Sequence, residues 1–520
     1  FHNLFGEEDE SFAPEVDLIL NPEHTDEQME SMLAKYNLKD LSKAHRNIDL
    51  LSRETPPLHD SPRTRAFFAS IAPSLLSMLR QAPDPDMALN NLERCTASLG
   101  AKTIFFQMLS ENPQALEVFV DLCAWSQFLS DILIKNPGML DQLIDSLIIG
   151  EHKDTGEMVS ELSSLMVHAP DKTRCLHGYK NQEILRIGVR DILGKADTST
   201  TMQDLSGLAE AILVDTFHRC SNGVEWEGSA PSFGVLALGK LGGREMSYSS
   251  DLDVVFVYRE AERSGVGVSN QLADISHKLM KVLGEMTEWG TLYRIDTRLR
   301  PEGRGGILVT SLENFRKYYS SEAELWEKQA LTKARWIVGD KGLGREVVEV
   351  VKDCLYTGQW RPEMTWEIGE MRERMEQSTR GKDIKRGFGG IVDIEFIVQL
   401  LQLKYGRDYP NIRTANTLDA LHNMYNSHLI EENHYKPLVS AYEFLRRVES
   451  RMRIVHDITK DKLPESSEAL NKLAKRLGYS PDEAPPPEER LLADNETHTT
   501  ITRRIFREIL VKEGGATAQG

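Results

Sequence analysis

The sequence predicts an α+β protein in which a small strand-bearing core lies between two mainly helical regions. Three observations carry this. From about 87 to 222, and again from about 360 to 480, apolar residues recur at the i, i+3, i+4 spacing of helices. Between those regions, short apolar runs bounded by glycine have the form of buried strands. With 520 residues, 40% hydrophobic and 27% charged, the chain has the composition of ordinary globular proteins and the length for two to four domains.

Charge narrows the function. Against 62 basic residues stand 80 acidic ones, a formal net charge of −18. A protein that holds a long nucleic acid carries a basic footprint, so this balance counts against DNA and RNA as substrates and favours a small nucleotide and a protein partner. Cys95, Cys123, Cys175, Cys220 and Cys354 are scattered with no CxxC pair, which reads as reduced intracellular thiols. No apolar run approaches membrane length and no signal sequence is present, so the expectation is a cytoplasmic protein without membrane contact. A first residue Phe1 rather than Met suggests a piece of a longer protein.

In chain order, residues 1–86 open with Glu7-Glu8-Asp9-Glu10 and are punctuated by Pro56-Pro57 and Pro83-Asp84-Pro85, an acidic linker with short helices attached. Thr25 with Gln28 predicts a capping box. Residues 87–224 form a helical domain, with Leu116, Phe119, Val120 and Cys123, then Leu129, Ile132, Leu133, Met139, Leu140, Leu143 and Leu147, as core stripes. The segment 225–345 is the catalytic domain and 346–480 a second helical domain. There Leu445, Val448, Met452 and Val455 are core, and Arg446, Arg447, Arg451 and Arg453 are placed on solvated faces. Residues 481–520 read as a Pro-rich linker, a helix with Ile501, Ile505 and Ile509, and a disordered tail.

The chemistry concentrates in Gly239–Phe256, GKLGGREMSYSSDLDVVF. Val235-Leu236-Ala237-Leu238 is a strand entering it. Gly239, Gly242 and Gly243 give a side-chain-poor turn that lets backbone N–H groups approach phosphate. On the strand that follows, Asp251 and Asp253 point the same way with Cα atoms roughly 6.5–7 Å apart. Two such carboxylates can share divalent cations that neutralise a triphosphate.

Ser269 is the expected N-cap of a helix carrying Leu272, Ile275, Leu279, Val282 and Met286. A third strand, Leu292–Leu299, puts Arg294, Asp296 and Arg298 on one face. Asp296 then either pairs with a neighbouring arginine or joins the first two carboxylates and takes the proton of an attacking hydroxyl. In the second case Arg298 and Arg300 face the triphosphate, where their fork of donors suits phosphate oxygens. Residues 322–336 read as one helix with Trp326, Gln329 and Lys333 on a face; Trp326 packs or stacks on a base, and Lys333 or Arg335 reaches phosphate. In GGIVDIEF, Asp393 and Glu395 either complement a helix dipole or serve the active site.

GKLGGREMSYSSDLDVVFVY, YRIDTRLRPEGRGGILV, WEKQALTKARWIVGD and GGIVDIEFIVQLLQLKYG, in that order, resemble the successive blocks of the glutamine synthetase adenylyltransferase family, within the polymerase-β-like nucleotidyltransferase superfamily. The similarity covers about 87–480. That family's full-length enzyme has two similar halves, one attaching AMP from ATP to glutamine synthetase and one removing it by phosphorolysis; this chain has one such unit. WEKQAL with DTRLRP is more similar to the adenylylating, C-terminal half.

The resemblance implies a polymerase-β-like core, a small mixed sheet with helices, flanked by mainly α-helical domains. It implies Asp251, Asp253 and Asp296 as catalytic residues and ligands of two Mg²⁺ ions, and Gly242, Gly243, Ser250 and Lys240 on the triphosphate. A tyrosine hydroxyl of glutamine synthetase would attack the α-phosphorus of ATP and release pyrophosphate, regulating nitrogen assimilation. Glutamine and the PII signalling protein are implied regulators that map onto no residue here. The removing activity, yielding ADP, is the alternative; a non-catalytic scaffold is a third reading, opposed by the cost of three clustered carboxylates.

Overall fold

Alternation along two central strands divides the protein. In the computed structural model, which describes residues 13–21, 25–54, 61–140, 152–226, 229–260, 267–379 and 381–515, β1 is Ser232–Ala237 and pairs antiparallel with β2, Leu252–Arg259. Side chains on a strand alternate faces. Val235 and Ala237 of β1, with Leu252, Val254 and Phe256 of β2, enter a core shared with the N-terminal helices. Leu236, Val255 and Val257 enter a second core shared with the C-terminal helices. The sheet is the partition between them, and this double burial explains the continuous apolar runs.

The sheet is mixed. β3 (Ile295–Asp296) and β4 (Val309–Ser311) pair parallel with β2, and β5 (Arg335–Gly339) pairs antiparallel with β1, giving the order β3-β2-β1-β5 with β4 also on β2. The α+β class and the helical flanks agree with the sequence. Among the described residues no helix is long and apolar enough to cross a membrane.

The N-terminal stretch differs from a linker. Helices Pro14–Leu20, Asp26–Leu33, Leu41–Ser52 and Pro62–Gln81 bury Leu18, Leu33, Ile48, Leu51, Phe68 and Leu76 in the same core as the following helices. The first two are short, of seven and eight residues, so periodicity alone understates their packing. The predicted capping box exists: Thr25 Oγ1 accepts from the Gln28 amide at 3.3 Å and Gln28 Oε1 from the Thr25 amide at 2.9 Å. Residues 1–12, Pro56-Pro57, Leu143, Leu147 and the tail from 516 lie outside the described residues.

Other boundaries move too. Helix Pro85–Ala97 runs across 86/87, and helix Lys341–Tyr356 crosses 345/346 to pack on β1 and β5. The last helix is Pro487–Gly514 and packs on helices Pro362–Gln377, Ile391–Tyr405 and Glu432–Arg453, so it belongs to the second helical domain. Ser269 is not an N-cap: helix Val268–Gly284 is capped by Gly267 at φ 97°, and Met286 lies beyond its end, 76% exposed. The predicted helix 322–336 splits into Leu325–Leu331 and β5, because the helical pattern stops where Arg-Trp-Ile-Val begins.

Candidate active site

β2 and β3 place two predicted carboxylates side by side. Asp253 is the register partner of Asp296, and the Leu252 amide donates to the Arg294 carbonyl at 2.8 Å. On the other side the Leu238 amide donates to the Asp253 carbonyl at 2.9 Å. Asp251, exposed, stands just before β2. Alternation puts Asp253 on the face of Val255 and Val257, toward the C-terminal helices. Burial, then Asp296, then Asp251 push the Asp253 carboxyl up to about 6, with Lys385 and Arg298 opposing.

Gly239 is the glycine this cluster needs. Its φ is +53°, and a Cβ there would lie 2.3 Å from Asp253 Oδ2. Gly242 and Gly243 serve packing instead. They sit in a short helix, Gly239–Gly243, where the Gly242 amide is spent on the Leu238 carbonyl at 2.9 Å and so is not offered to phosphate. A Cβ on Gly242 would meet the Lys333 carbonyl at 1.9 Å, and one on Gly243 the Ala415 carbonyl at 3.0 Å.

The predicted cations are largely committed to other groups. Arg298 takes the Asp296 carboxylate, Nε lying 3.0 and 2.7 Å from its oxygens, and the Arg298 amide adds a bond of 2.9 Å. Burial works to raise Asp296, but these bonds outweigh it and hold the carboxyl below the usual range. Thus both readings of Asp296 coexist: beside Asp253 and paired with an arginine. Arg300 braces its own loop, donating to the carbonyls of Thr297 (2.9 Å), Gly306 (2.9 Å) and Ile307 (3.1 Å). Lys333 is buried and donates to Glu245 and Thr417, both at 2.7 Å. Arg335, on β5, holds the carbonyls of Gly242 (3.0 Å) and Leu241 (2.8 Å). Trp326 is 41% exposed at the surface.

Lys240 and Ser250 form a polar cradle with residues from the second helical domain. Lys240 Nζ lies 2.6 Å from Glu449 and 3.3 Å from Ser247 Oγ; the Ser247 amide donates to Ser250 Oγ at 3.1 Å. Arg453 donates to Ser247 Oγ at 2.8 Å and pairs with Glu449 at 2.8 Å and Asp461 at 2.6 Å. Of the four arginines assigned to solvated faces, Arg447 is exposed as expected and the other three are corrected. Arg446, Arg451 and Arg453 are buried, Arg446 against Glu449 and the Glu245 carbonyl, Arg451 on Asp191. Glu449 lies on the same helix, whereas Asp191 and the Glu245 carbonyl come from elements far away in sequence.

Sequence reasoning missed Lys385. Of the two cations that counter the rise of Asp253 it acts more strongly, it also acts on Lys240, and it makes no ion pair within the described residues. Backbone bonds fix its loop: Ile384 N–H to the Asp461 carbonyl at 2.8 Å, Ile391 N–H to Ile384 at 3.0 Å, Val392 N–H to Lys385 at 3.0 Å. Arg372 joins the Gly387 carbonyl to Asp393, 2.7 Å away and wholly buried. Asp393 thus supports the loop rather than binding a ligand. The available signal was a lysine just ahead of a second glycine-rich turn, Lys385-Arg386-Gly387-Phe388-Gly389-Gly390.

Three carboxylates at one sheet edge are the hard oxygen donors that Mg²⁺ takes. Asp253 is raised first by burial and then by the Asp296 and Asp251 charges, and a divalent cation would relieve that repulsion. Among the described residues no three potential ligands converge closely enough to hold an ion as they stand, and Arg298 occupies the Asp296 carboxylate. The donor set fits; the loaded arrangement needs Arg298 to turn away.

Residues 116–350 match the family model for glutamate-ammonia ligase adenylyltransferase, and residues 363–510 that for GlnD PII-uridylyltransferase. Two curated relatives are bifunctional glutamine synthetase adenylyltransferase/adenylyl-removing enzymes. That of Streptomyces avermitilis is 31% identical over 85% of this chain and 44% of its own length. That of Thioalkalivibrio sulfidiphilus is 30% identical over 74% of this chain and 42% of its own. The chain spans less than half the length of these relatives.

Proposed function

Because the chain belongs to the glutamate-ammonia ligase adenylyltransferase family, we propose that it transfers AMP from ATP to a tyrosine hydroxyl of glutamine synthetase. The observation that carries this reading is the register pairing of Asp253 with Asp296, with Asp251 at the same edge. Bound there, Mg²⁺ would neutralise triphosphate charge and orient the attacking and leaving oxygens. The tyrosine oxygen bonds to the α-phosphorus, the bond to the bridging oxygen breaks, and pyrophosphate leaves with its electron pair.

The chain's own residues contribute orientation and charge. Arg298, whose guanidinium suits phosphate as well as carboxylate, moves from Asp296 to the triphosphate. Its departure frees the Asp296 oxygens it holds, leaving them open to the metal and to the tyrosine proton as nucleotide binds. Lys385 adds positive charge from the opposite domain.

The test is to incubate the chain with Mg²⁺, α-labelled ATP and unmodified glutamine synthetase. Label on the synthetase subunit supports adenylylation. Silence there, with ADP released when adenylylated synthetase and phosphate are supplied, assigns the removing activity instead. Silence in both removes this reading.

A further inference from the structure

A cavity of about 410 Å³ opens beside Asp251. That volume lies within the roughly 300–1,000 Å³ typical of small-molecule sites. Its walls come from helix Lys172–Ile192, the approach to β3, the serine turn before β2 and the loop after helix Glu432–Arg453.

We propose that this cavity takes the purine base of the nucleotide, and that Asp457 and Lys180 read its six-amino edge. The proposal rests on the nucleotidyltransferase reading above and adds which base is selected and by what.

Lys180 donates to the carbonyls of Leu292 at 2.7 Å and Thr291 at 3.0 Å, and sits 4.8 Å from the Tyr293 ring centroid. An ammonium has three donors, so one remains. Asp457 takes a backbone hydrogen bond from Ser249, which leaves further lone pairs on its carboxylate. The two act on each other's charge without forming an ion pair. Burial drives both toward neutrality, Lys180 down and Asp457 up. Both are half-buried on the cavity wall, a donor and an acceptor near each other but not joined, so one ligand edge can pair with both.

Adenine bridges them with its ring N1 as acceptor and its amino group as donor. Guanine presents the opposite pair and leaves Asp457 facing an oxygen. Tyr293, Ile184 and Leu205 supply apolar wall for a flat base.

The backbone points the same way. Ser249 and Asp457 are both left-handed, at φ 57° and 50°, and are tied together: Ser249 Oγ donates to the Asp457 carbonyl at 3.0 Å. Non-glycine residues hold such angles at a cost and cluster at ligand clamps. Ser249 is two residues from Asp251, which itself lines the cavity, so a base seated there leaves its phosphates at the carboxylates.

The test is equilibrium binding of Mg²⁺-ATP, Mg²⁺-GTP and purine riboside triphosphate, which lacks the amino group, to the full chain by calorimetry. ATP should bind about tenfold or more tighter than either analogue, the penalty for an unpaired buried group. Asp457→Gly keeps the left-handed backbone and deletes the carboxylate; it should bring ATP and purine riboside triphosphate within about twofold. Lys180→Met should weaken both by about tenfold, since both keep N1. Equal wild-type affinities for ATP and purine riboside triphosphate, or an undiminished gap in Asp457→Gly, overturn the pocket while leaving the transfer reading standing. No ATP binding by wild type overturns both. Should either variant fail to fold, the wild-type comparison of the three nucleotides decides alone.

Discussion

The Lys240 ammonium lies 2.6 Å from the Glu449 carboxylate, joining the glycine-rich helix of the catalytic core to the long helix of the second helical domain. Arg446 and Arg453 reach the same carboxylate at 3.2 and 2.8 Å, and Glu449 is wholly buried. Burial alone would raise Glu449; the three cations outweigh it and hold it far below the usual carboxylate range. Burial pulls Lys240 down, and Glu449 opposes that pull.

Glu449→Gln leaves Lys240, Arg446 and Arg453 without their counter-charge, and breaking such a buried pair costs about 3–5 kcal/mol. The contribution of a carboxyl held low is present above its unfolded value and lost only in strong acid. Lys240, which burial pulls down to about 7 against the opposing pull of Glu449, is charged at pH 6 and largely neutral at pH 8, so the loss should be larger at pH 6 than at pH 8. Urea denaturation followed by tryptophan fluorescence measures it; an unchanged midpoint refutes the anchoring role.

Asp253 works against stability. Its folded carboxyl, near 6, lies above its ordinary value, so the folded state binds that proton more tightly than the unfolded chain. Ionisation thus costs stability as pH rises through about 6, and the cost is absent at pH 3–4. Asp253→Asn should raise metal-free stability by roughly 1–3 kcal/mol at pH 8 and leave it unchanged near pH 4, while abolishing Mg²⁺-dependent transfer. Mg²⁺ affinity of the wild type should fall as pH drops through about 6. A variant that keeps most of its transfer activity would sink the site assignment.

Two glycines three residues apart should fail differently. A Cβ at Gly242 would press on the Lys333 carbonyl from 1.9 Å and on the Ala237 carbonyl from 3.0 Å, both rigid backbone. Gly242→Ala should lower stability by about 1–3 kcal/mol or more, as overpacking does. At Gly239 the obstruction is the Asp253 carboxylate. Gly239→Ala should fold with a modest loss from its φ of +53° and lose activity outright. Thermal melts set beside single-turnover rates separate the two.

That contrast shows what the sequence made legible. Apolar runs bounded by glycine located β1 and β2, and the two-residue spacing set Asp251 and Asp253 on one side. Whether Gly242 approaches phosphate or the backbone of Lys333 depends on a contact across 91 residues, which spacing cannot express. The arginines failed for a related reason. Arg446, Glu449 and Arg453 share one helix face, a pattern common on solvated helices; what buries them is Lys240, Glu245 and Asp461 arriving from other elements. Arg335 was misplaced because helix and strand signals adjoin within a few residues, and the strand is decided by its pairing with Ala237.

Lys385 ties the second helical domain to the chemistry, and its removal should show in a pH profile. It opposes the rise of Asp253, so Lys385→Met should raise that carboxyl further above 6 and shift the acid limb of kcat/KM to higher pH. With its charge absent from the phosphates, KM for ATP should rise about tenfold. Lys385→Arg keeps the charge and should restore the limb, if not the full affinity. A merely structural role would lower the melting temperature and leave the limb in place. The loop is held by main-chain bonds to Asp461 and between Ile384 and Ile391, none of which uses the Lys385 ammonium. The methionine variant should therefore fold, and an acid limb that does not move would assign the rise of Asp253 to burial and its carboxylate neighbours alone.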